Sequence, residues 1–298
     1  AKKDVVKMIE IKISQGAKPA HGGMLPGDKI SAEIAEIRGI PMGKDCLSPA
    51  NHHTFSTPVG LLKFVEKLRT LSGDKPIGFK LCIGIKSEFM GICKAMLDTQ
   101  ILPDFITVDG AEGGTGAAPL IFTNRIGMPG DEAVAFVHNC LVGCNLREHI
   151  RIIASGKVAS GFDIARKLAI GADLVNIARG FMFTIGCIQA LHCNTNKCPT
   201  GVTSNDPGRY QAIDIKEKSH RVHNFHKNTI DALLELVGAM GCSSPQELHP
   251  ELIQYRLDGI RSATLKELYH FIEPGHFING NIAPFYREDW NKSDAESF

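Results

Sequence analysis

"IGFKLCIGIKSEFMGICKAMLDTQILPDFITVDG", residues 77–110, contains a short apolar run, then a helical pattern, then a second short apolar run. The two runs, 77–83 and 104–110, are almost continuously apolar, as strands of a parallel sheet with both faces covered are. The residues between them, 87–99, repeat apolar side chains at the spacing of an amphipathic helix. A strand, a helix and a second strand in this order predict a parallel βαβ unit, and therefore an α/β fold.

The same rhythm continues in both directions from this unit. Further strands are predicted at 8–14, 150–156 and 172–178, and further helices at 57–71, 131–143 and 161–171. After residue 203 the composition becomes more polar, and the amphipathic stretch 220–241 predicts a long helix. We therefore expect an α/β unit over 1–203 and a helical C-terminal extension over 204–298.

Composition excludes several classes of function. The chain has 298 residues, is 43% hydrophobic, and balances 33 basic against 32 acidic residues for a net charge of +1. Such a balance lacks the positive surface that nucleic acids and anionic membranes require. The first residues lack the apolar stretch and cleavage site of a signal peptide, and the odd number of cysteines, nine, suits a reducing compartment. We expect a cytoplasmic protein.

Glycine-rich loops follow the predicted strands. The loop "DGAEGGTGAAP" (109–119) contains Gly113, Gly114 and Thr115, and "SGKVASG" (155–161) begins with Ser155, Gly156 and Lys157. Loops after parallel strands converge on one edge of the sheet, and glycines let backbone N–H groups approach a ligand closely. A phosphorylated cofactor is the functional interpretation, and ordinary tight turns are the alternative.

Lysines form the second group of candidates. Lys80 lies inside an apolar strand, where an unpaired ammonium would cost several kcal/mol, so it must meet an anion or a strong acceptor. Lys18 and Lys157 lie in glycine-rich loops, where a solvated lysine costs nothing.

Histidines and carboxylates near the strand ends have two interpretations each. His52 and His53 are candidate metal ligands without further ligands at zinc-like spacing, so capping or packing is the alternative. Asp109 and Glu112 are candidates for acid/base chemistry, but carboxylates at strand ends commonly accept hydrogen bonds from backbone N–H groups.

Three cysteines lie close together in "GCIQALHCNTNKCPTGV" (186–202), at Cys187, Cys193 and Cys198. Thiolates are the usual ligands of iron–sulfur clusters, and Pro199 after the last cysteine is similar to the ferredoxin pattern. A structural zinc site would need a fourth ligand, for which only His192 is near. Three thiols without a fourth suit a three-iron cluster, with zinc and unligated thiols as the alternatives.

Five motifs together resemble the flavin-binding synthase domain of the glutamate synthase family, over roughly residues 8 to 240. They are "IKISQGAKPAHGGMLPGDKISAEIAEIRGI", "SPANHHTF", "FKLCIG", "DGAEGGTGAAP" and the cysteine segment, in the order in which that family has them.

The resemblance implies a (β/α)8 TIM barrel that binds FMN beside a 3Fe–4S cluster. In the family an electron donor, either a protein or an NAD(P)H-oxidising subunit, reduces the cluster, and the cluster reduces FMN. The flavin then delivers hydride to 2-iminoglutarate, formed from 2-oxoglutarate and ammonia, which gives glutamate. Five strands are found where the barrel has eight. The resemblance therefore also implies that the chain is the C-terminal part of a longer protein, so that it needs the N-terminal part of the barrel or self-association.

The resemblance also assigns residues position by position. Cys187, Cys193 and Cys198 fall on the cluster ligands, Lys80 on the lysine beside the flavin ring, and Lys18 and Arg38 on the cations that hold the dicarboxylate substrate, with Lys18 and Lys80 acting in catalysis. The remaining cofactor-binding positions lie in the glycine loop and in two loops on the phosphate side: Gly113, Gly114, Thr115, Ser155, Gly156, Lys157, Ala178, Arg179 and Gly180.

Two positions depart from the family pattern. Met24 stands where glutamate synthases have a glutamine that contacts the substrate, and His21 replaces an acidic residue. Losing a buried polar contact costs about 1–3 kcal/mol, enough to change the preferred substrate. No glutaminase domain is found in the sequence, so we expect ammonia to come from another chain or from solution. The alternatives are an FMN oxidoreductase acting on another oxo or imino acid, and a non-catalytic subunit.

Overall fold

The computed structural model describes residues 2–18 and 23–298. The strands are β1 (Ile9–Lys12), β2 (Met24–Leu25), β3 (Cys46–Leu47), β4 (Ile77–Leu81), β5 (Phe105–Asp109), β6 (Arg151–Ser155), β7 (Leu174–Asn176), β8 (Gln254–Arg256) and β9 (Ser262–Thr264). The helices are α1 (Ala32–Arg38), α2 (Pro58–Ser72), α3 (Lys86–Thr99), α4 (Gly130–Gly143), α5 (Gly161–Ala169), α6 (Arg179–Thr184), α7 (Pro207–Tyr210), α8 (Ile215–Ala239), α9 (Leu265–Tyr269) and α10 (Pro284–Lys292).

A five-stranded sheet organises the molecule. Its order is β1-β4-β5-β6-β7, and each strand runs parallel to its neighbour. All five predicted strands lie in it, so the prediction of an α/β fold with five parallel strands is confirmed. Strands that follow one another in space as they do along the chain, with helices between them, have the arrangement of consecutive strands in a (β/α)8 barrel. Within the described residues, no strand pairs with the outer edge of β1 or of β7.

Helices cover one face of this sheet. The side chains that point toward them are apolar and almost fully buried, among them Ile77, Phe79, Ile106, Val108 and Ile152. Burying each of these side chains stabilises the fold by about 1.5–3 kcal/mol. The helical layer therefore carries the hydrophobic core, which leaves the opposite face of the sheet free for polar side chains.

Local signals in the sequence set the ends of these helices. Thr57 caps α2 by accepting a 2.9 Å hydrogen bond from the N–H of Gly60, and Pro58 occupies the first turn, where its missing N–H is not needed. The helix ends at Gly73, whose φ of 74° is unfavourable for other residues. The four helices predicted between the strands are all present, each with its bounds within two residues of the prediction.

The C-terminal residues pack against this layer. Helix α8 lies on α5, burying Leu233 and Val237, and α10 lies on α3. Lys94 of α3 donates 2.8 Å hydrogen bonds to the carbonyl oxygens of Trp290 and Ser293. The described region contains four α-helices, α7 to α10, and one antiparallel hairpin, β8–β9, that the sequence did not predict. The division at residue 203 stays a prediction. None of the described helices is long and apolar enough to cross a membrane.

Candidate functional site

The face of the sheet opposite the helices carries a row of polar side chains. In the register, Lys12 lies beside Lys80 and Lys80 beside Thr107, while Asp109 lies beside Ser155. Because side chains two residues apart in a strand point to the same side, these five share one face. In most (β/α)8 barrels this inner face is filled with branched apolar side chains. A polar inner face at the carboxyl ends of the strands is the expected place for a ligand.

Lys80 meets a carboxylate on this face, as its position in an apolar strand predicts. Its Nζ lies 3.9 Å from Oδ2 of Asp109, and both side chains are largely buried. The same Oδ2 accepts a 2.9 Å hydrogen bond from the N–H of Gly16, in the loop after β1. Asp109 therefore joins β4, β5 and the loop that leads to Lys18.

Lys18 is almost completely buried, with 7% of its surface exposed. It forms no ion pair and no hydrogen bond with any residue that the structure describes. Burial of an ammonium without a partner is costly, so this position favours an anionic ligand. The geometry is consistent with the role that the sequence predicts for Lys18.

Lys12 is a cation of this face that sequence reasoning missed. Burial lowers the pKa of its ammonium, as does repulsion from Lys80 and Lys18, while Asp109 acts in the opposite direction. Lys12 thus interacts with two other lysines and with the carboxylate that pairs with Lys80. The signal in the sequence was a lysine, Lys12, near the end of the predicted strand 8–14, with Lys18 in the loop that follows.

The glycine loop after β5 lies beside the start of α6. Arg179 donates from Nη2 to the carbonyl oxygen of Gly114, and Gly113 donates a 3.1 Å hydrogen bond to the side chain of Asn124. Both glycines have positive φ, 85° and 104°, which explains why glycine occupies them. Thr115 is exposed and accepts a hydrogen bond from the N–H of Ala117. The structure therefore brings together the glycine loop and one of the two predicted phosphate-side loops.

The two predicted phosphate-side loops follow the neighbouring strands β6 and β7. Ser155 ends β6, Gly156 has a φ of 109°, and Lys157 is exposed. Ala178 precedes α6, and Gly180 is buried in its first turn. Adjacent parallel strands place both loops at one edge of the sheet, as cofactor binding requires.

The remaining substrate positions are less well connected to this edge. Arg38 ends the short helix α1, is exposed, and forms no ion pair with a described residue. Met24 lies in the two-residue strand β2 with 43% of its surface exposed. His21 lies outside the described residues.

Cys187, Cys193 and Cys198 line one small cavity, together with His192 and Thr203. No histidine, cysteine or carboxylate group in the described part of the chain converges as three ligands on a single metal ion. A zinc ion needs its ligands within about 2.3 Å of one point. An iron–sulfur cluster, by contrast, attaches its thiolates to separate iron atoms.

Cys198 has an environment that favours the thiolate. Burial acts to raise its pKa, but the hydroxyl and N–H groups of Thr200 and Thr203 together outweigh burial and lower the pKa to about 6. The hydroxyl oxygen of Thr203 is buried and has no other hydrogen-bond partner in the described residues. Hydrogen-bond donors aimed at a sulfur atom are typical of cysteines that ligate a cluster.

Two further candidates have structural roles. His52 stacks on Phe55 with ring centroids 4.3 Å apart and accepts a hydrogen bond from the N–H of Thr54. Glu112 accepts from the N–H of Gly130 with both oxygens, each at 3.0 Å. These contacts agree with packing for His52 and with fixing of backbone donors for Glu112.

Comparison with known proteins identifies the family. The model of the conserved region in glutamate synthase matches residues 3–243. The chain belongs to the glutamate synthase family. The resemblance read from the motifs is thereby confirmed.

Curated members of the glutamate synthase family match most of the chain. The glutamate synthase large subunit-like protein YerD of Bacillus subtilis is 42% identical over 267 residues, which cover 90% of this chain and 50% of that protein. The archaeal glutamate synthase (NADPH) of Methanocaldococcus jannaschii is 36% identical over 261 residues, 87% of this chain and 50% of that protein. The chain spans about half the length of these relatives. Among solved structures, a flavocytochrome b2 variant aligns with 93% of this chain and 52% of its own, at 15% identity and a TM-score of 0.47.

Proposed function

We propose that this chain provides the FMN-binding and cluster-binding part of a glutamate synthase that converts 2-iminoglutarate, formed from 2-oxoglutarate and ammonia, to glutamate. The observation that carries the proposal is that Lys12 interacts with two further lysines, Lys80 and Lys18, and with Asp109, the carboxylate that also pairs with Lys80. Lysines at the carboxyl ends of parallel strands, of which Lys18 is almost completely buried, favour anionic ligands. Both FMN and a dicarboxylate substrate are anions, and the names of the relatives point to the same reaction.

The residues at this edge fit FMN. Lys80 is held by Asp109 and offers a cation on the inner face, while Gly113 and Gly156 adopt positive φ, a conformation that favours glycine and lets the backbone approach a ligand closely. The loops of Ser155 and Arg179 lie side by side, where a phosphate would be bound. When bound, FMN supplies hydride transfer and a 3Fe–4S cluster supplies single electrons.

Lys18 has the chemistry to hold a substrate carboxylate, because it is almost completely buried and its ammonium pairs with none of the residues that the structure describes. A hydrogen bond from an ammonium group to a carboxylate is stronger than a hydrogen bond between neutral groups. Arg38 would pair with the second carboxylate. The reaction adds two electrons and two protons to the imine, so the proposal includes an electron donor, either a protein or an NAD(P)H-oxidising subunit.

The cysteines would ligate the cluster, one thiolate to each iron. Cys198 meets this requirement best, since its surroundings already stabilise the thiolate. The glycine loop contacts the cysteine segment, since a Cβ on Gly116 would overlap the carbonyl oxygen of Leu191, and this contact supports adjacent binding of the two cofactors. Electron transfer between the cofactors requires this proximity.

Met24 favours a second candidate, an FMN oxidoreductase acting on another oxo or imino acid. A thioether is a weak acceptor and cannot donate the hydrogen bonds of an amide.

The proposal of a glutamate synthase also includes a cytoplasmic location. It further includes a need for the remaining barrel strands, from an N-terminal segment or another copy.

The test is anaerobic purification and reconstitution, with iron, sulfide and flavin analysis and an EPR spectrum. About three irons per chain with bound FMN, and glutamate formation from 2-oxoglutarate and ammonia with a reduced viologen dye, support the proposal. Pyruvate and oxaloacetate in the same assay separate the second candidate from the first. The variant C187S should lose the cluster signal and keep FMN, whereas K18M should keep both cofactors and lose glutamate formation. Absence of both cofactors after reconstitution would refute the proposal.

A further inference from the structure

Lys29, which lies shortly after β2, contacts the cysteine segment. Its Nζ donates one hydrogen bond of 2.6 Å to the carbonyl oxygen of Cys193 and another of 2.6 Å to that of Thr203. Hydrogen bonds from an ammonium group are about twice as strong as those between neutral groups. One side chain therefore binds two points of the segment at once.

The two carbonyl groups stand at the two ends of a loop that contains Cys198 and begins with Cys193 itself. This loop comprises residues 193–203, and Lys29 holds its two ends together. A second contact also holds this loop. Ser204, the residue directly after it, donates a 2.8 Å hydrogen bond from its hydroxyl to the carbonyl oxygen of Asn196. Two of the three cysteines therefore depend on the same ammonium for their position.

Lys29 is itself held in place. It ends the short 3₁₀ helix Gly27–Lys29, whose first N–H donates a 2.7 Å hydrogen bond to Oδ1 of Asp45. The carbonyl oxygen of Lys29 accepts a 2.8 Å hydrogen bond from the side chain of Asn205. The contact between Lys29 and the segment is thus reciprocal.

No carboxylate in the described part of the chain pairs with Lys29. Its ammonium contacts the backbone carbonyl of Cys193 itself, and its hydrogen-bond partners among the described residues are two carbonyl oxygens. A cation close to an iron–sulfur cluster favours the reduced, more negative form, and therefore raises the reduction potential.

We propose that Lys29 is a positioning residue for the iron–sulfur site, which fixes the loop carrying Cys193 and Cys198 and raises the potential of the cluster they bind. The inference rests on the proposed function, because it assumes that these cysteines hold a cluster. It assigns a role to a residue that is not itself a proposed ligand of the cluster and that lies in the 3₁₀ helix Gly27–Lys29.

The first test uses the metal-free chain and measures how fast its cysteines react with a thiol reagent. Losing two charge-assisted hydrogen bonds should open the loop and speed the reaction of Cys193 and Cys198 in K29M on the order of tenfold. K29R, which can still donate to both carbonyls, should restore the slow rate. The matched control is K197M, since Lys197 is exposed in the same loop and its side chain forms no hydrogen bond or ion pair with a described residue. Unchanged rates in K29M would overturn the positioning role.

The second test uses the reconstituted chain and measures the EPR spectrum and midpoint potential of the cluster. K29M should broaden the spectrum and lower the potential, and K29R should keep both close to those of the unchanged chain. If K29M does not fold, K29Q removes the charge while keeping an amide donor, and should lower the potential with a smaller change in thiol reaction. A potential that stays the same in both variants would refute the electrostatic part. If the unchanged chain binds no cluster, the proposed function fails, whereas the thiol rates still decide whether Lys29 holds the loop.

Discussion

The Nζ of Lys80 lies 3.9 Å from Oδ2 of Asp109 on the inner face of the sheet. The contact holds the ammonium at the carboxyl end of β4, where FMN is proposed to bind. Hydrogen bonds to charged groups contribute about 1.5–3 kcal/mol. We therefore expect K80M to weaken FMN binding about 10- to 100-fold, measured by flavin fluorescence titration. K67M, which removes an exposed lysine of α2, should bind FMN as the unchanged chain does. Equal affinity in K80M would place the flavin elsewhere.

Gly16 has no room for a side chain. A Cβ at this position would overlap the carbonyl oxygen of Gly110. The N–H of Gly16 also donates a hydrogen bond to Oδ2 of Asp109. We expect G16A to lower the free energy of unfolding by about 1–3 kcal/mol, because overpacking forces the two loops apart. Urea denaturation measures this change. The control is G84A, where an added Cβ meets no atom within 4 Å. If the two variants lose equal stability, the close approach at Gly16 is not the cause.

Lys12 should have opposite effects on stability and on binding. Its pKa is lowered by burial and by the neighbouring Lys80 and Lys18, so its charge is unfavourable when no anion is bound. We expect K12M to raise the stability of the ligand-free chain by less than about 1 kcal/mol, and to weaken binding of 2-oxoglutarate. Urea denaturation and calorimetric titration measure the two effects, with K7M, at an exposed lysine before β1, as the control. Lower stability together with unchanged binding would contradict the assignment of Lys12 to the site.

His138 of α4 should make stability depend on pH. Burial, and then the charge of Arg147, lower its pKa to about 4, from 6.5, while Asp173 acts in the opposite direction. Arg147 donates a 3.2 Å hydrogen bond from Nε to the Nδ1 atom, which requires the neutral ring. The unfolded chain therefore binds a proton between pH 6.5 and 4 that the folded chain does not, and stability falls as the pH falls through this range.

The loss attributable to His138 is on the order of 3 kcal/mol at pH 4. Comparing unfolding free energies of the unchanged chain and H138N between pH 7 and pH 4 isolates it, because the asparagine does not titrate. H149N, at an exposed histidine, should follow the unchanged chain. A constant difference between H138N and the unchanged chain across the range would show that His138 is not the titrating group.

The sheet and its helices were predictable because buried parallel strands need continuous apolar runs. The runs at 77–83 and 104–110 became β4 and β5, with α3 between them. The hairpin β8–β9 escaped prediction because its three-residue strands are mostly exposed and contain no apolar run. Short exposed strands are specified by pairing between distant backbones, which leaves little pattern in the sequence.

The candidate site was predictable only in part, for a related reason. Lys80 stood out because it interrupts an apolar strand, and its partner Asp109 follows from the register of two strands. Lys12 did not stand out, since an edge strand tolerates a charged residue. Lys29 is one lysine among many in polar loops, and only the fold shows that its ammonium meets the cysteine segment.

The contact between Lys29 and Cys193 joins residues 164 positions apart, and that between Lys29 and Thr203 joins residues 174 positions apart. Contacts over such separations form only after the intervening chain has folded, because closing a long loop costs entropy that earlier contacts must offset. During synthesis the lysine leaves the ribosome long before the cysteines do. We therefore expect the loop that holds Cys198 to close late in folding, so that iron of the proposed cluster would be inserted into a sheet that is already assembled.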